Sequence, residues 1–290
     1  GGGGSIRIPA SYGGLVGLKP TRGSLPTGPF GHRGWQGASI NFFITKTIED
    51  TEILFESMHQ NTIESPFNYV QSNFDKDGPL TIAYTDQSPV NSEVSNDAVL
   101  ALNKTVEILR ELGHTVEKLS PNYDGFALME SYYMVNGVET AAMIFEIEKS
   151  INKKITIDDI ELVSWVLYQF GLKVKAHELV QALNGWDQVS EIMHEFHKTY
   201  DLFLTPTNAK AAPNFDEVYQ SDSLLNQMKA IESNPDPYKI VWEMFEDSLA
   251  YTPFTMLANI TGQPAITLPV YENEEKEQFG VQLMGVKGSE

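Results

Sequence analysis

The apolar positions of the chain fall into helical runs separated by short β-like runs. In TKTIEDTEILFESMH, Thr47 to Asp50 have the spacing of a capping box, in which a hydroxyl and a nearby acidic side chain serve the unpaired amides of a first helical turn. Ile48, Thr51, Leu54, Phe55 and Met58 then recur every three or four residues, which predicts one amphipathic helix to about His59. Residues 60–79 show no sustained period, whereas LTIAYT at 80–85 is rich in β-branched and aromatic residues and predicts a strand. A longer helix follows, with Ser95 as its cap, Val99, Leu102, Val106 and Leu109 on one face, and Gly113 as its stop before the short strand TVEKL. Strand, helix, strand predicts a parallel pair with a right-handed crossover.

From Tyr123 to Thr199 the pattern is mostly helical, through GFALMESYYMVNGVETAAMIFEIEK, IDDIELVSWVLYQFGLKVKAHELVQALNG and WDQVSEIMHEFHKTY, and predicts a helical layer on the sheet. YDLFLTPT at 200–207, PAITLPV at 264–270 and FGVQLMG at 279–285 read as buried strands, with ENEEKEQ a solvated loop between the last two. No internal repeat and no linker between independent domains is evident. Strands scattered among helices give an α/β layer structure.

Composition narrows the function classes. With 290 residues, 41% of them hydrophobic, the chain can bury a sizeable core. The 39 acidic against 20 basic side chains give a net charge of −19 that repels a phosphate backbone, so nucleic acid is not expected as a direct partner. The absence of cysteine excludes disulfides, thiolate metal sites and a cysteine nucleophile. No apolar run reaches the roughly 20 residues of a membrane span, and the N-terminus lacks signal-peptide character, so a cytoplasmic protein off the membrane is the expectation. A homo-oligomer is left open.

Several chemical patterns fail on inspection. Gly3-Gly4-Ser5-Ile6-Arg7 carries arginine where a nucleophile elbow needs its last glycine. Glu191, His194 and His197 share a helical face but do not form H-E-x-x-H, and read as solvated helix; no metal is expected. Ser150 and Lys153 match S-x-x-K inside the charged run EKSINKK, a helix end in water. The opening GGGGS is the composition of a flexible linker. Against that reading, IRIPASYGGLVGLKPTRG follows in unbroken register. Consecutive glycines before a serine also let backbone N–H groups converge on one point, which reads on the loop alone either as a tightly packed turn with no chemical role or as an oxyanion site beside a hydroxyl nucleophile.

GGSIRIPASYGGLVGLKPTRG closely resembles the signature stretch of the amidase signature family, whose members use a serine nucleophile to hydrolyse amides or transfer the ammonia released. The likeness continues through ITKTIEDTEIL, YDLFLTPT, TMLANITGQPAITLP and FGVQLMG, the last two resembling the family's C-terminal strands, and is weakest at 120–200. The resemblance implies a large twisted mixed β-sheet covered by α-helices and no cofactor. It makes Ser5 the nucleophile, Gly2, Gly3 and Gly4 with Ser5 the oxyanion hole, and Arg7 a structural clamp. Gly1 stands where the family usually has aspartate, which leaves a partner for Arg7 in question.

The family's lysine and second, cis-bonded serine lie upstream of the motif. Lys19 and Lys46 follow it, in parts that resemble structural segments. Residues 1–290 are therefore expected to form part of an amidase signature domain, cut at both ends and inactive when taken alone. The expected activity is serine-dependent hydrolysis of a small linear or cyclic carboxylic amide through an acyl-enzyme. The alternatives are a non-catalytic amidase-like scaffold, or the amidase subunit of an ammonia-transferring enzyme. Trp35, Phe42 and Phe43 could border an acyl site or pack in the core, and Tyr132 and Tyr133 are equally ambiguous.

Overall fold

The computed structural model describes residues 1–28, 31–60, 65–73, 78–217 and 219–290; of the aperiodic stretch 60–79, residues 61–64 and 74–77 lie outside the described residues. In chain order the elements are α1 (Arg7–Tyr12), β1 (Val16–Lys19), β2 (Ile44–Thr45), α2 (Ile48–Met58), β3 (Thr81–Tyr84), α3 (Asn96–Glu111), β4 (Thr115–Lys118) and α4 (Gly125–Ile151). They continue with α5 (Leu162–Gly171), α6 (Ala176–Phe196), β5 (Leu202–Pro206), α7 (Asp222–Lys229), α8 (Pro237–Tyr251), α9 (Met256–Thr261), β6 (Ala265–Glu272) and β7 (Gln278–Gly285). The chain divides into two units: Gly1–Tyr123 with Gln188–Ala212 and Ala250–Glu290, and Asp124–Asp187 with Pro213–Leu249.

The first unit holds a mixed seven-stranded sheet in the order β2-β1-β6-β7-β5-β3-β4. The predicted hydroxyl caps form: Thr47 accepts from the amide of Asp50 at 3.0 Å, and Ser95 from that of Ala98 at 3.2 Å, while among the described residues the Asp50 carboxylate takes no bond from the Thr47 amide, so the box is half made. Gly113, at φ +93°, ends α3. As expected, β3 and β4 pair in parallel, with Ile82 opposite Val116. Leu102 and Val106 of α3 pack with Ile82, Val116, Leu204 and Val281 in a cluster that closes one face of the sheet. β6 and β7 form an antiparallel hairpin with an irregularity between Pro269 and Tyr271, where the proline has no N–H to give to the ladder.

Two departures from the sequence pattern position the site. RIPASY, which the sequence pattern assigns to no element, is helix α1, and Pro9 is tolerated because first-turn amides have no intrahelical acceptor in any case. TMLANITG opens as helix α9 rather than strand, and Gly262, at φ +79°, stops it. Helix α1 lies flat on β1 and β7. A Cβ on Gly17 would fall 2.7 Å from that of Ala10, so only glycine admits this close approach. Ser11 Oγ accepts the Gly280 amide at 2.9 Å, and Asn208 Nδ2 donates to the Ile8 carbonyl at 3.2 Å.

The second unit is helical. Of the segment 123–199, which reads in the sequence as mostly helical, residues 124–187 group with 213–249. Gly171 and Gly137 let α5 and α4 cross closely, since a Cβ on Gly171 would meet the Gly137 carbonyl. Tyr132 and Tyr133 are buried here, Tyr133 stacked on Phe245 at 4.6 Å, so both are core residues. Ser150 is exposed at the end of α4 and Lys153 pairs with Asp159 at 2.6 Å, as a helix end in water would.

Candidate active site

Ser5 is exposed immediately before α1, while Gly2 and Gly4 beneath it are buried. The loop is tied by its carbonyls. Gly1 O accepts from Asn259 Nδ2 at 3.1 Å and from the Ile40 amide at 3.3 Å; Gly3 O accepts from Thr255 Oγ1 at 2.7 Å; Gly4 O accepts from the Ile8 amide at 2.9 Å. In a trans peptide unit the C=O and N–H point in opposite directions. Anchoring these carbonyls therefore turns the N–H groups of Gly2, Gly4 and Ser5 the other way. Among the described residues, the amides of Gly2, Gly3, Gly4 and Ser5 have no acceptor within the protein. Buried backbone donors are nearly always paired, and Gly2 and Gly4 are buried; open amides of this kind are able to receive an anion.

Glycine is required where the loop is tightest. Gly4 has φ +142°, and a Cβ there would lie 2.3 Å from Thr255 Oγ1. A Cβ on Gly2 would lie 2.4 Å from Cε3 of Trp35, so the indole covers the loop. Trp35 and Gln36 both hold φ 51°, a left-handed pair of side-chain-bearing residues, which marks local backbone strain beside the loop. Phe42 instead makes edge contacts with Phe43 and with Phe55 of α2, at 5.7 and 6.3 Å.

Arg7 is fully buried under the loop. Its guanidinium donates to the Thr255 carbonyl at 2.8 Å, to Asn259 Oδ1 and to Gln282 Oε1. The expected gap left by Gly1 in place of aspartate is thus filled by three neutral oxygens. Burial pulls the Arg7 pKa down to about 9, which still leaves it protonated at neutral pH. Asn259 is the hub of the site: its carboxamide accepts from Arg7 and donates to Gly1 O and, at 2.7 Å, to Ala38 O.

The structure thus brings Ser5, Gly2, Gly3, Gly4 and Arg7 together. Thr255, Asn259 and Gln282 belong with them and were not read from the sequence. Their one signal was a polar residue inside an apolar run, in TMLANITG and FGVQLMG.

The two lysines that follow the motif lie in different surroundings. Lys46 is exposed. Lys19 is buried, and its ammonium donates to the Pro20 carbonyl at 2.6 Å. Burial, and then the guanidinium groups of Arg7 and Arg22, push the Lys19 pKa well below the ordinary lysine value. Among the described residues no side chain hydrogen-bonds Ser5 Oγ. His197 Nδ1 contacts the Tyr200 carbonyl at 2.8 Å and His194 is exposed; no group of three His, Asp or Glu side chains among the described residues could hold a metal ion.

A cavity of about 140 Å³ opens on the α1 face of the sheet, lined by Thr85, Phe203, Thr205, Gln282 and Met284 among others. It shares Gln282 with the Arg7 anchor. A larger cavity of about 540 Å³ is lined by Leu18, Phe55, Leu202, Ile266 and Leu283. Those strand residues alternate with Gly17, Thr267 and Gln282, so it lies on the face away from α1 and outside the candidate site.

With this geometry in hand, comparison with known proteins is decisive. The sequence model of the family described as Amidase matches residues 1–290. The chain belongs to the amidase family. The lipoamidase of Enterococcus faecalis is 32% identical over 283 residues, 97% of this amidase-family chain and 38% of that protein. The 6-aminohexanoate-cyclic-dimer hydrolase of Paenarthrobacter ureafaciens is 26% identical over 299 residues, 99% of this chain and 58% of that one. A solved structure of a 6-aminohexanoate cyclic dimer hydrolase complexed with substrate superposes with TM-score 0.84 at 22% identity, over 98% of this chain and 59% of the other, and has the same mixed-sheet fold. The chain spans less than two thirds of the length of these relatives. No helix among its described residues is long and apolar enough to cross a membrane.

Proposed function

We propose that the chain carries the nucleophile and oxyanion loop of an amidase that hydrolyses a small carboxylic amide through Ser5. In this reading Ser5 Oγ forms a bond to the carbonyl carbon and the C–N bond breaks. The hydroxyl proton passes through a base to the departing nitrogen, and water then cleaves the acyl-serine to release the acid. The negative oxygen of each tetrahedral intermediate lies among the amides of Gly2, Gly3, Gly4 and Ser5; one such donor contributes about 2.7–4 kcal/mol. The observation that carries the proposal is the conjunction of an exposed Ser5 with four open amides, three of which, those of Gly2, Gly4 and Ser5, lie in peptide planes fixed by Asn259, Thr255 and Ile8.

The relatives' names, a lipoamidase and a 6-aminohexanoate-cyclic-dimer hydrolase, favour amide hydrolysis over a purely structural role. The family resemblance supplies the base as a lysine acting through a second serine, residues with no counterpart at matching positions of this sequence. The proposed reaction uses no metal and no organic cofactor.

The deciding test is Ser5→Ala in the full-length protein. Amide turnover should fall to background while the thermal midpoint stays near wild type, because an exposed hydroxyl is removed and no core volume is lost. Turnover comparable with wild type would remove Ser5 from the reaction and favour the scaffold reading.

A further inference from the structure

We propose that Thr255 is a positioning residue for catalysis: its hydroxyl fixes the Gly3–Gly4 peptide plane and so aims the Gly4 amide at the developing oxyanion. The inference rests on the Ser5 reading above and adds a residue that makes no contact with the reacting atoms. Thr255 Oγ1 donates to Gly3 O at 2.7 Å. The same oxygen sits where a Gly4 side chain would be, 2.3 Å from the position of an added Cβ, so it packs against the peptide it orients. Its own backbone carbonyl accepts from Arg7 at 2.8 Å. The threonine is thereby held from below while holding the loop above.

This arrangement has a specific physical role. Gly4 is a glycine at φ +142°, and a glycine peptide rotates at little steric cost when nothing restrains it. Donors stabilise a transition state most when they are aimed before the charge develops, since reorientation during reaction would absorb much of the gain. A buried hydroxyl bonded to the carbonyl of that peptide unit supplies the restraint. Asn259 does the same for the preceding plane by holding Gly1 O, and thus directs the Gly2 amide. Asn259 also bonds Arg7 and Ala38, so its substitution would disturb several contacts at once. Thr255 is the cleaner place to test the idea.

The experiment measures phosphonylation by an alkyl fluorophosphonate in the full-length protein, in which Ser5 Oγ bonds to phosphorus and fluoride leaves as the hydroxyl proton is taken up by base. The phosphoryl oxygen gains charge in the same cradle, so no knowledge of the natural amide is needed. Thr255→Val keeps the branched shape and deletes the hydrogen bond; Thr255→Ser keeps the hydroxyl. The maximal labelling rate of Thr255→Val should fall about ten- to a hundredfold, less than deleting an oxyanion donor costs, because the amide is mis-aimed rather than lost. The concentration for half-maximal rate should stay within about twofold, and Thr255→Ser should label within about threefold of wild type.

Wild-type labelling in Thr255→Val would overturn the proposal while leaving Ser5 as nucleophile. An equal loss in Thr255→Ser, accompanied by a lowered thermal midpoint in both variants, would overturn it in favour of packing by the threonine methyl. Wild-type labelling absent at Ser5, or unchanged in Ser5→Ala, would remove the nucleophile reading and this proposal with it.

Discussion

Replacing Gly4 by alanine tests how tightly the loop is built. At φ +142° an L side chain is strained, a cost of about 1–3 kcal/mol. The new Cβ would stand 2.3 Å from Thr255 Oγ1 and 2.7 Å from Cδ1 of Ile8. Ordinary contact needs about an ångström more, so the threonine must swing away and release its 2.7 Å bond to Gly3 O, a further loss of about 0.5–1.5 kcal/mol. The sum, about 1.5–4.5 kcal/mol, corresponds to a fall in thermal midpoint of roughly 3–8 °C for a chain of this size. Fluorophosphonate labelling at Ser5 should fall more than about a hundredfold, because the Gly4 amide loses its aim and the turn before Ser5 shifts.

The assay pairs differential scanning calorimetry with labelling rates for Gly4→Ala, Thr255→Ala and the double variant. If steric conflict with Thr255 is the cause, the double variant is less destabilised than the sum of the singles. Gly31→Ala serves as the control, since a Cβ there meets no atom of the described residues within 4 Å. A Gly4→Ala protein with wild-type midpoint and labelling, or strictly additive singles, would refute the account of the loop.

Lys19 should leave a signature in the pH dependence of stability. Its folded pKa is lowered, chiefly by burial, so between that value and the ordinary lysine pKa the unfolded chain holds the extra proton, and stability rises with pH across the window. Urea unfolding of Lys19→Met at several pH values from 7 to 10 should show a flatter rise than wild type; parallel curves would contradict burial of the amine. Chelation should change nothing: EDTA is expected to leave thermal midpoint and labelling rate at wild-type values, and a loss reversed by a divalent ion would reopen the case for Glu191, His194 and His197.

Local chemistry made much of the fold legible. Thr47 and Ser95 cap their helices because a hydroxyl before an apolar period does so in almost any context. LTIAYT and TVEKL pair in parallel because the helix between them leaves little other geometry. Residues 124–187 were harder. Apolar helical periodicity announces a face to be buried and is silent on its partner, so the grouping of these residues with 213–249 is not readable from it. Helix α1 escaped notice because six residues are too few to show a period, and RIPASY becomes helical only where Gly17 and Ser11 seat it on the strands.

The site divides in the same way. The run of glycines, the serine that follows them and the arginine two residues on are legible in residue order alone, since freedom from Cβ atoms and the presence of a hydroxyl are properties of residue type. Tertiary structure alone decided where the amides point. That direction depends on carbonyls held by Thr255 and Asn259, some 250 residues away along the chain, and on a buried cation whose acceptors include Gln282 in the last strand. No periodicity encodes such contacts, because a hydrogen bond between distant residues is specified by the path of the whole backbone and not by the neighbours of either partner.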